Sequence, residues 1–237
     1  MDQTPLIVRE AFPERVQVSR LMTPLEQTLR AVQWVDDHVV LLDQNRLPWQ
    51  TRYVVCRTPN EVARRIRDMT VRGAPAIGVA AAMGMALAAV RSRAKKPDRF
   101  LRDLTGAAKA LETARPTAVN LSWAVRRIMT KVSGDPHKPI EGLRQVVVEE
   151  ALRIAEEDVV VNQRLGDYGQ ALLADGDRVL TYCNAGALAT AEWGTALGVI
   201  RSAVSKGKAI HVYVAETRPR LQGARLTAFE LQHENIP

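Results

Sequence analysis

Cys183 stands in the run Thr181-Tyr182-Cys183-Asn184-Ala185-Gly186-Ala187-Leu188-Ala189-Thr190, behind the apolar stretch Arg178-Val179-Leu180 and ahead of a helix-like pattern of small residues. A cysteine between a strand's end and a helix's first turn faces unpaired backbone N–H groups and the positive end of the helix dipole. Those groups favour thiolate over thiol and make the sulfur more reactive. A free cysteine alone is as readily a small buried hydrophobe. The residues around it must carry the functional reading.

Three other loops share one design with it. Val71-Arg72-Gly73-Ala74-Pro75 places an arginine and small residues just before a helix, with proline suited to its first turn. Arg115-Pro116-Thr117 repeats this at a second start, and Leu221-Gln222-Gly223-Ala224-Arg225 puts an amide donor and a glycine at a third. Helix N-termini with exposed N–H groups and a nearby guanidinium bind phosphate well. Each arginine alone is an ordinary surface or capping residue. Together the four loops point to a phosphorylated small molecule, provided they converge in space. The expectation is that Cys183 lies at the carboxyl end of a strand, with Arg72, Arg115 and Gln222 reaching a common cleft beside it.

Composition narrows the alternatives. At 237 residues and 46% hydrophobic the chain is globular, with room for one large or two modest domains. Cys56 and Cys183 are its only cysteines, too few for a disulfide framework, so a reducing cytoplasm is expected. The balance of 33 basic against 26 acidic residues gives +7 and a pI near 9.8. That charge would suit nucleic acid, but Lys and Arg are mixed with Asp and Glu throughout and only 5% of residues are aromatic. The surplus reads as ordinary surface plus a few arginines reserved for a small anion, and no nucleic-acid partner is expected. Met1-Asp2-Gln3-Thr4-Pro5 is polar, with no adjoining apolar segment of the kind a signal peptide has. Gly73 to Val90 is uncharged over about 18 residues, the lower edge of spanning length. Its Ala and Gly content and Pro75 suit a helix packed inside a soluble protein better than a membrane. No phosphate-binding Walker loop, Gly-x-Gly-x-x-Gly, His-Glu-x-x-His or Gly-x-Ser-x-Gly occurs, and His38, His137, His211 and His233 are scattered. Neither a cofactor nor a metal is expected.

The elements that must position these loops fall into two unlike parts. Val32–Val35, His38–Asp43 and Thr51–Cys56 read as a small antiparallel sheet, the first two flanking an Asp-Asp turn. Helical patterns follow over Thr58 to Met69, Ala74 to Val90, Phe100 to Thr113, Pro116 to Val132 and Ile140 to Ala174. The charges of the last, Glu149-Glu150 and Glu156-Glu157-Asp158, read as a solvated face. After the Asp175-Gly176-Asp177 turn come a short strand, a helix from about Leu188 to Lys206 and the strand Ala209–Val214, which together describe a parallel βαβ unit. A helix from about Ala224 to His233 follows. Ligands of such sheets sit beyond the strands' carboxyl ends, where Cys183 and Glu216-Thr217-Arg218-Pro219 both fall. The fold class expected is α/β with an α+β N-terminal part. Residues 1–174 would form a small sheet with a helical bundle, and residues 175–237 an incomplete Rossmann-like parallel domain.

Four long motifs add a resemblance. They are Thr70-Val71-Arg72-Gly73-Ala74-Pro75-Ala76-Ile77-Gly78, Arg115-Pro116-Thr117-Ala118-Val119-Asn120-Leu121, Cys183-Asn184-Ala185-Gly186-Ala187-Leu188-Ala189-Thr190 and Glu216-Thr217-Arg218-Pro219-Arg220-Leu221-Gln222-Gly223-Ala224-Arg225. In order and at fitting intervals, they resemble those of the methylthioribose-1-phosphate isomerases of methionine salvage. The superfamily also holds regulatory subunits of a eukaryotic translation initiation factor and archaeal ribose-1,5-bisphosphate isomerases. The resemblance covers roughly residues 30–237. It implies a Rossmann-like second domain, a homodimer in the full-length form, substrate binding by Arg72, Gly73, Ala74, Arg115 and Gln222, and Cys183 as a catalytic residue. Tyr182 stands where a histidine is common in the family, and Phe229 where a tryptophan is. The family's second catalytic residue, an aspartate, follows a further strand, and the chain stops before it. The expectation is therefore a C-terminally truncated chain, inactive alone, with the Val212 strand edge and the Leu197-Val199-Ile200 helix face uncovered and prone to association.

The implied chemistry opens the ring of an aldose 1-phosphate and moves a hydrogen between C2 and C1 to give a ketose. Arginines and helix starts would hold the phosphate dianion, a carboxyl group would shuttle protons, and Cys183 would relay a proton or stabilise the charged intermediate. Enediol and hydride-shift routes both remain open. So do ribose 1,5-bisphosphate as substrate, which needs a second phosphate site, and a non-catalytic regulatory role.

Overall fold

The computed structural model describes residues 29–134 and 138–237, so the readings of residues 1–5 and of His137 lie outside the described residues. The first sheet is antiparallel in the order β1 (Val32–Val35), β2 (His38–Leu42), β3 (Tyr53–Cys56). Asp36 and Asp37 make the β1–β2 turn, both with positive φ, as a two-residue hairpin whose twist matches its strands requires. Thr58 caps α1 (Pro59–Arg67), its hydroxyl accepting from the Glu61 N–H at 3.2 Å, while the Glu61 carboxylate accepts from the Arg57 N–H at 2.6 Å. That reciprocal pair satisfies one backbone donor in the first turn of the helix and one just before it.

The helical layer is built around α2 (Ala74–Arg91). Every residue from Ala76 to Ala89 is buried, packed by α1, α3 (Pro97–Glu112), α4 (Val119–Ser133) and α5 (Ile140–Gly169). It is long and apolar enough to cross a membrane. Its small residues serve close packing instead: a Cβ at Gly84 would stand 3.0 Å from the Leu111 side chain, and one at Gly78 would stand 3.0 Å from the Asn120 carbonyl oxygen. The Gly78 contact sets the first turns of α2 and α4 side by side.

The charges of α5 are not simply a solvated face. Glu150 is buried and receives Arg127 at 2.7 Å and Arg153 at 3.3 Å, while the half-buried Asp158 accepts the Ala191 N–H at 2.7 Å. Burial raises the Asp158 pKa above the ordinary carboxylate value, against the lowering effect of the Ala191 bond.

The second sheet pairs β4 (Arg178–Tyr182) with β5 (His211–Ala215) in parallel, Arg178 opposite His211 and Tyr182 opposite Ala215. The connecting helix α6 spans Ala196–Ser205, eight residues short of the predicted start at Leu188. Leu188 and Ala189 belong to a single 3-10 turn, Ala187–Ala189. Gly194 then turns the chain with φ +86 against Gly186. The apolar run is buried because Leu188 packs with Leu42, Leu47 and Leu226, without being helical.

The Leu197-Val199-Ile200 face is covered, contrary to expectation. Leu197 and Ile200 are buried with Ile210, Val212 and Leu231, and Val199 abuts Gly169 of α5. Val212 is buried too, and its N–H donates to the Pro237 carbonyl at 2.7 Å. The other sheet face is open, with Leu180 at 72% and Tyr182 at 67% exposure, and a groove lined by Val212, Val214, Leu231 and Ile236 runs beside β5. After β5 a wide helical turn, Gly223–Thr227, runs into α7 (Ala228–His233).

Candidate active site

Cys183 follows β4 directly, half-buried and with φ +65. A left-handed backbone costs a residue with a Cβ about 1–2 kcal/mol. Such strain persists where its surroundings over-determine it, commonly at functional positions. Here the Cys183 carbonyl accepts the Thr227 hydroxyl at 2.5 Å.

The loop beyond Cys183 commits two of its backbone donors within the protein. With α6 beginning only at Ala196, the thiol does not stand at a long helix's N-terminus. The N–H groups of Ala187 and Leu188 donate instead to the protein's own Glu230 carboxylate, at 2.7 and 3.3 Å. Glu230 is fully buried, and Arg201 pairs with it at 2.7 Å and with Glu234 at 2.6 Å. A Cβ at Gly186 would collide with this carboxylate.

The third predicted helix start is filled in the same way. Glu216 accepts from the N–H groups of Thr217 at 2.7 Å, Gly223 at 2.9 Å and Ala224 at 3.1 Å. Those bonds, the Thr217 one foremost, hold its pKa below the ordinary glutamate value. Gln222 is tied to Thr217 by its side-chain oxygen and by its N–H at 3.1 Å.

The remaining two starts differ. No side chain caps α2 or α4. Gly73 precedes α2 with φ +94, and a Cβ there would stand 2.5 Å from Ala189 Cα, so only glycine lets the α2 entry lie against the loop after Cys183. Ala74, the first residue of α2, is exposed. Arg72 crosses between the two halves. Its Nε donates to Gln44 Oε1 at 3.2 Å, and its Nη2 reaches both the side-chain and main-chain oxygens of Asn184. Gln44 in turn donates to the Leu188 carbonyl at 2.7 Å. Burial lowers the Arg72 pKa, opposed by the charges of Cys183 and Glu230.

Arg72 and Gln222 line one cleft, together with Gln44, Met69, Arg220 and Arg225. Arg225 is committed elsewhere, donating to the carbonyls of Asn45 at 2.7 Å and Leu47 at 3.2 Å beneath the Trp49 ring. Arg115 does not line this cleft. It lies in the α3–α4 connection with Nη1 buried and unpartnered, and its carbonyl accepts the Ala118 N–H at 3.0 Å. Arg72 thus meets the Cys183 loop at Asn184 and Gly73 meets it at Ala189, with Ala74 next in the chain, while Gln222 lines the adjoining cleft and Arg115 precedes α4. Gln44, Arg220, Thr227 and Glu230 were not singled out from sequence. Asn184 carried a signal, standing next to the thiol; Glu230 lies 46 residues from Asn184 and carried none.

The sequence profile of the Initiation factor 2 subunit family matches residues 70–237. The chain belongs to that family. Within it, the chain is 48% identical to a methylthioribose-1-phosphate isomerase of Syntrophus aciditrophicus, over 90% of this chain and 63% of that protein. It is 48% identical to one of Geobacter sulfurreducens, over 89% of this chain and 61% of that protein. The crystal structure of 5-methylthioribose 1-phosphate isomerase from Pyrococcus horikoshii OT3 matches with a TM-score of 0.84 at 42% identity, over 90% of this chain and 60% of that one. The crystal structure of the translation initiation factor eIF-2B, subunit delta, from A. fulgidus matches with a TM-score of 0.82 at 46% identity, over 88% of this chain and 60% of that one. The chain thus spans about three-fifths of the length of these relatives. The α/β fold is shared with these two solved structures.

Proposed function

We propose that this chain carries the substrate-binding part of an aldose–ketose isomerase that converts 5-methylthioribose 1-phosphate to 5-methylthioribulose 1-phosphate in methionine salvage. One observation carries the reading. Arg72, at the entry to an uncapped helix, reaches the residue next to a strained, half-exposed cysteine. An uncapped helix start with a guanidinium beside it suits a phosphate dianion. A thiol within the same constellation suits proton relay or stabilisation of charge at C1 and C2 of the sugar. A purely regulatory protein would need neither in one place, which is why the site favours the isomerase over the initiation-factor name borne by a comparably similar structure. Arg115 and Gln222 are assigned to substrate binding in the same proposal, with Gly73 and Ala74 supplying backbone donors.

The finer readings belong to it as well: domains at 1–174 and 175–237, a Rossmann-like second domain, a homodimer in the full-length form and a cytoplasmic location. Two free cysteines suit a reducing compartment.

The test is turnover. Because the relatives are longer, the chain is assayed as it stands and fused in frame to the C-terminal remainder of the Geobacter sulfurreducens relative, each with a Cys183→Ser counterpart. The fusion should isomerise methylthioribose 1-phosphate, and Cys183→Ser should lower kcat by about 10²–10⁴-fold, the range for losing an acid–base group. A fusion that folds yet neither binds nor turns over the sugar phosphate would defeat the proposal.

A further inference from the structure

The backbone of Cys183 is held from one side by a single element. Thr227 and Glu230 lie one turn apart on the helical segment formed by Gly223–Thr227 and α7. Both are fully buried. The Thr227 hydroxyl gives its proton to the Cys183 carbonyl and accepts from Asn184 Nδ2 at 3.2 Å. Glu230 accepts from the same Nδ2 at 2.7 Å and from the N–H groups of Ala187 and Leu188. An amide has one donor end and one acceptor end. With Nδ2 claimed by a carboxylate and a hydroxyl, Asn184 can turn only Oδ1 toward Arg72, which donates to it.

Resting on the isomerase reading above, we infer that Thr227 and Glu230 are positioning residues for the reaction: Thr227 pins the carbonyl of Cys183, and the buried Glu230 carboxylate serves as a resident anion that orients Asn184 to hold Arg72 beside the thiol.

This assigns the N–H groups after β4 to a permanent internal ligand and leaves the substrate phosphate to Arg72 and the α2 entry. It also gives Gly186 a reason, since any side chain there would displace the resident carboxylate. Arg201, itself buried, pairs with that carboxylate directly at 2.7 Å.

The test uses Thr227→Val, which keeps shape and removes the hydroxyl, Thr227→Ser, which restores it, and Glu230→Gln. The first readout is the rate of iodoacetamide alkylation of Cys183 against pH in the chain as it stands. Cys56 stays silent, because it is buried and its thiol pKa is pushed up to about 11. The second is kcat and KM of the fusion for methylthioribose 1-phosphate. We expect Thr227→Val to lower the alkylation rate at pH 8 at least fivefold and kcat at least tenfold, with KM within threefold, and Thr227→Ser to recover most of both. Glu230→Gln should lower kcat and raise KM together, since Arg72 loses its orienting partner. If Glu230→Gln does not fold, the Thr227 pair decides. Cooperatively folded Thr227→Val with an unchanged alkylation profile and unchanged kcat overturns the inference. The alkylation arm needs no substrate, so a shifted profile without turnover in the parent sinks the isomerase reading alone. Turnover with no response at position 227 sinks the positioning role alone.

Discussion

The entry to α2 and the turn after β4 lie against each other, Gly73 on Ala189. Yet they use their backbone N–H groups in opposite ways. The turn after β4 gives its donors to Glu230, a carboxylate buried with Arg201. The α2 entry carries no capping side chain and has Arg72 at its mouth. A similar division holds farther out, where Glu216 fills the turn at Gly223 while α4 begins without a cap behind Arg115. A cluster of backbone donors is therefore not a ligand site by virtue of its donors alone. Where a carboxylate from the same chain reaches it, the cluster becomes part of the scaffold. Where none does, it remains open to an anion from outside.

The largest effect should come from closing the gap between the two regions. Gly73→Ala forces a Cβ to 2.5 Å from Ala189 Cα in a backbone with φ +94. Strain and overpacking together should cost roughly 2–6 kcal/mol, read as a lower urea midpoint, with loss of sugar-phosphate binding at concentrations that saturate the parent. A variant as stable and as tightly binding as the parent would show that the contact is dispensable.

A smaller effect sharpens the other side of the comparison. Glu216 has its folded pKa depressed from an ordinary value of 4.5. The stability it contributes should be present above that value and lost as pH falls through the depressed one. The urea midpoints of the parent and Glu216→Gln should differ at neutral pH and converge below pH 4.5. A difference that persists unchanged into acid would mean that the ionised carboxylate is not what holds the turn.

Much of this arrangement was legible in the residues. The strands, the buried α2 and the position of Cys183 after a strand follow from periodicity and from turn residues, and Arg72 from its place before Gly73 and Pro75. The start of α6 was not, because a buried apolar stretch such as Ala187–Ala191 looks helical whether it packs as helix or as coil. Leu188 is buried by contacts with Leu42, Leu47 and Leu226, distant in sequence. The carboxylates that fill two of the four predicted anion sites were illegible for the same reason. Glu230 reads as one polar residue on a short helix until the fold carries it to Ala187, 43 positions away. Glu216 reaches Gly223 across only seven positions, but through a bend at Thr217 and Leu221 that no periodicity announces.

The central claim is that phosphate docks at the α2 entry and not at the turns after β4 and β5. Backbone amide NMR of the chain, titrated with methylthioribose 1-phosphate, tests it most directly. The account predicts the largest shifts at Gly73, Ala74 and Ala76, with Arg72 Nε responding, and little change at Ala187, Leu188, Gly223 and Ala224, whose donors are already taken. Shifts centred on Ala187 and Leu188, with Gly73 and Ala74 still, would mean that the substrate displaces Glu230 and would contradict it.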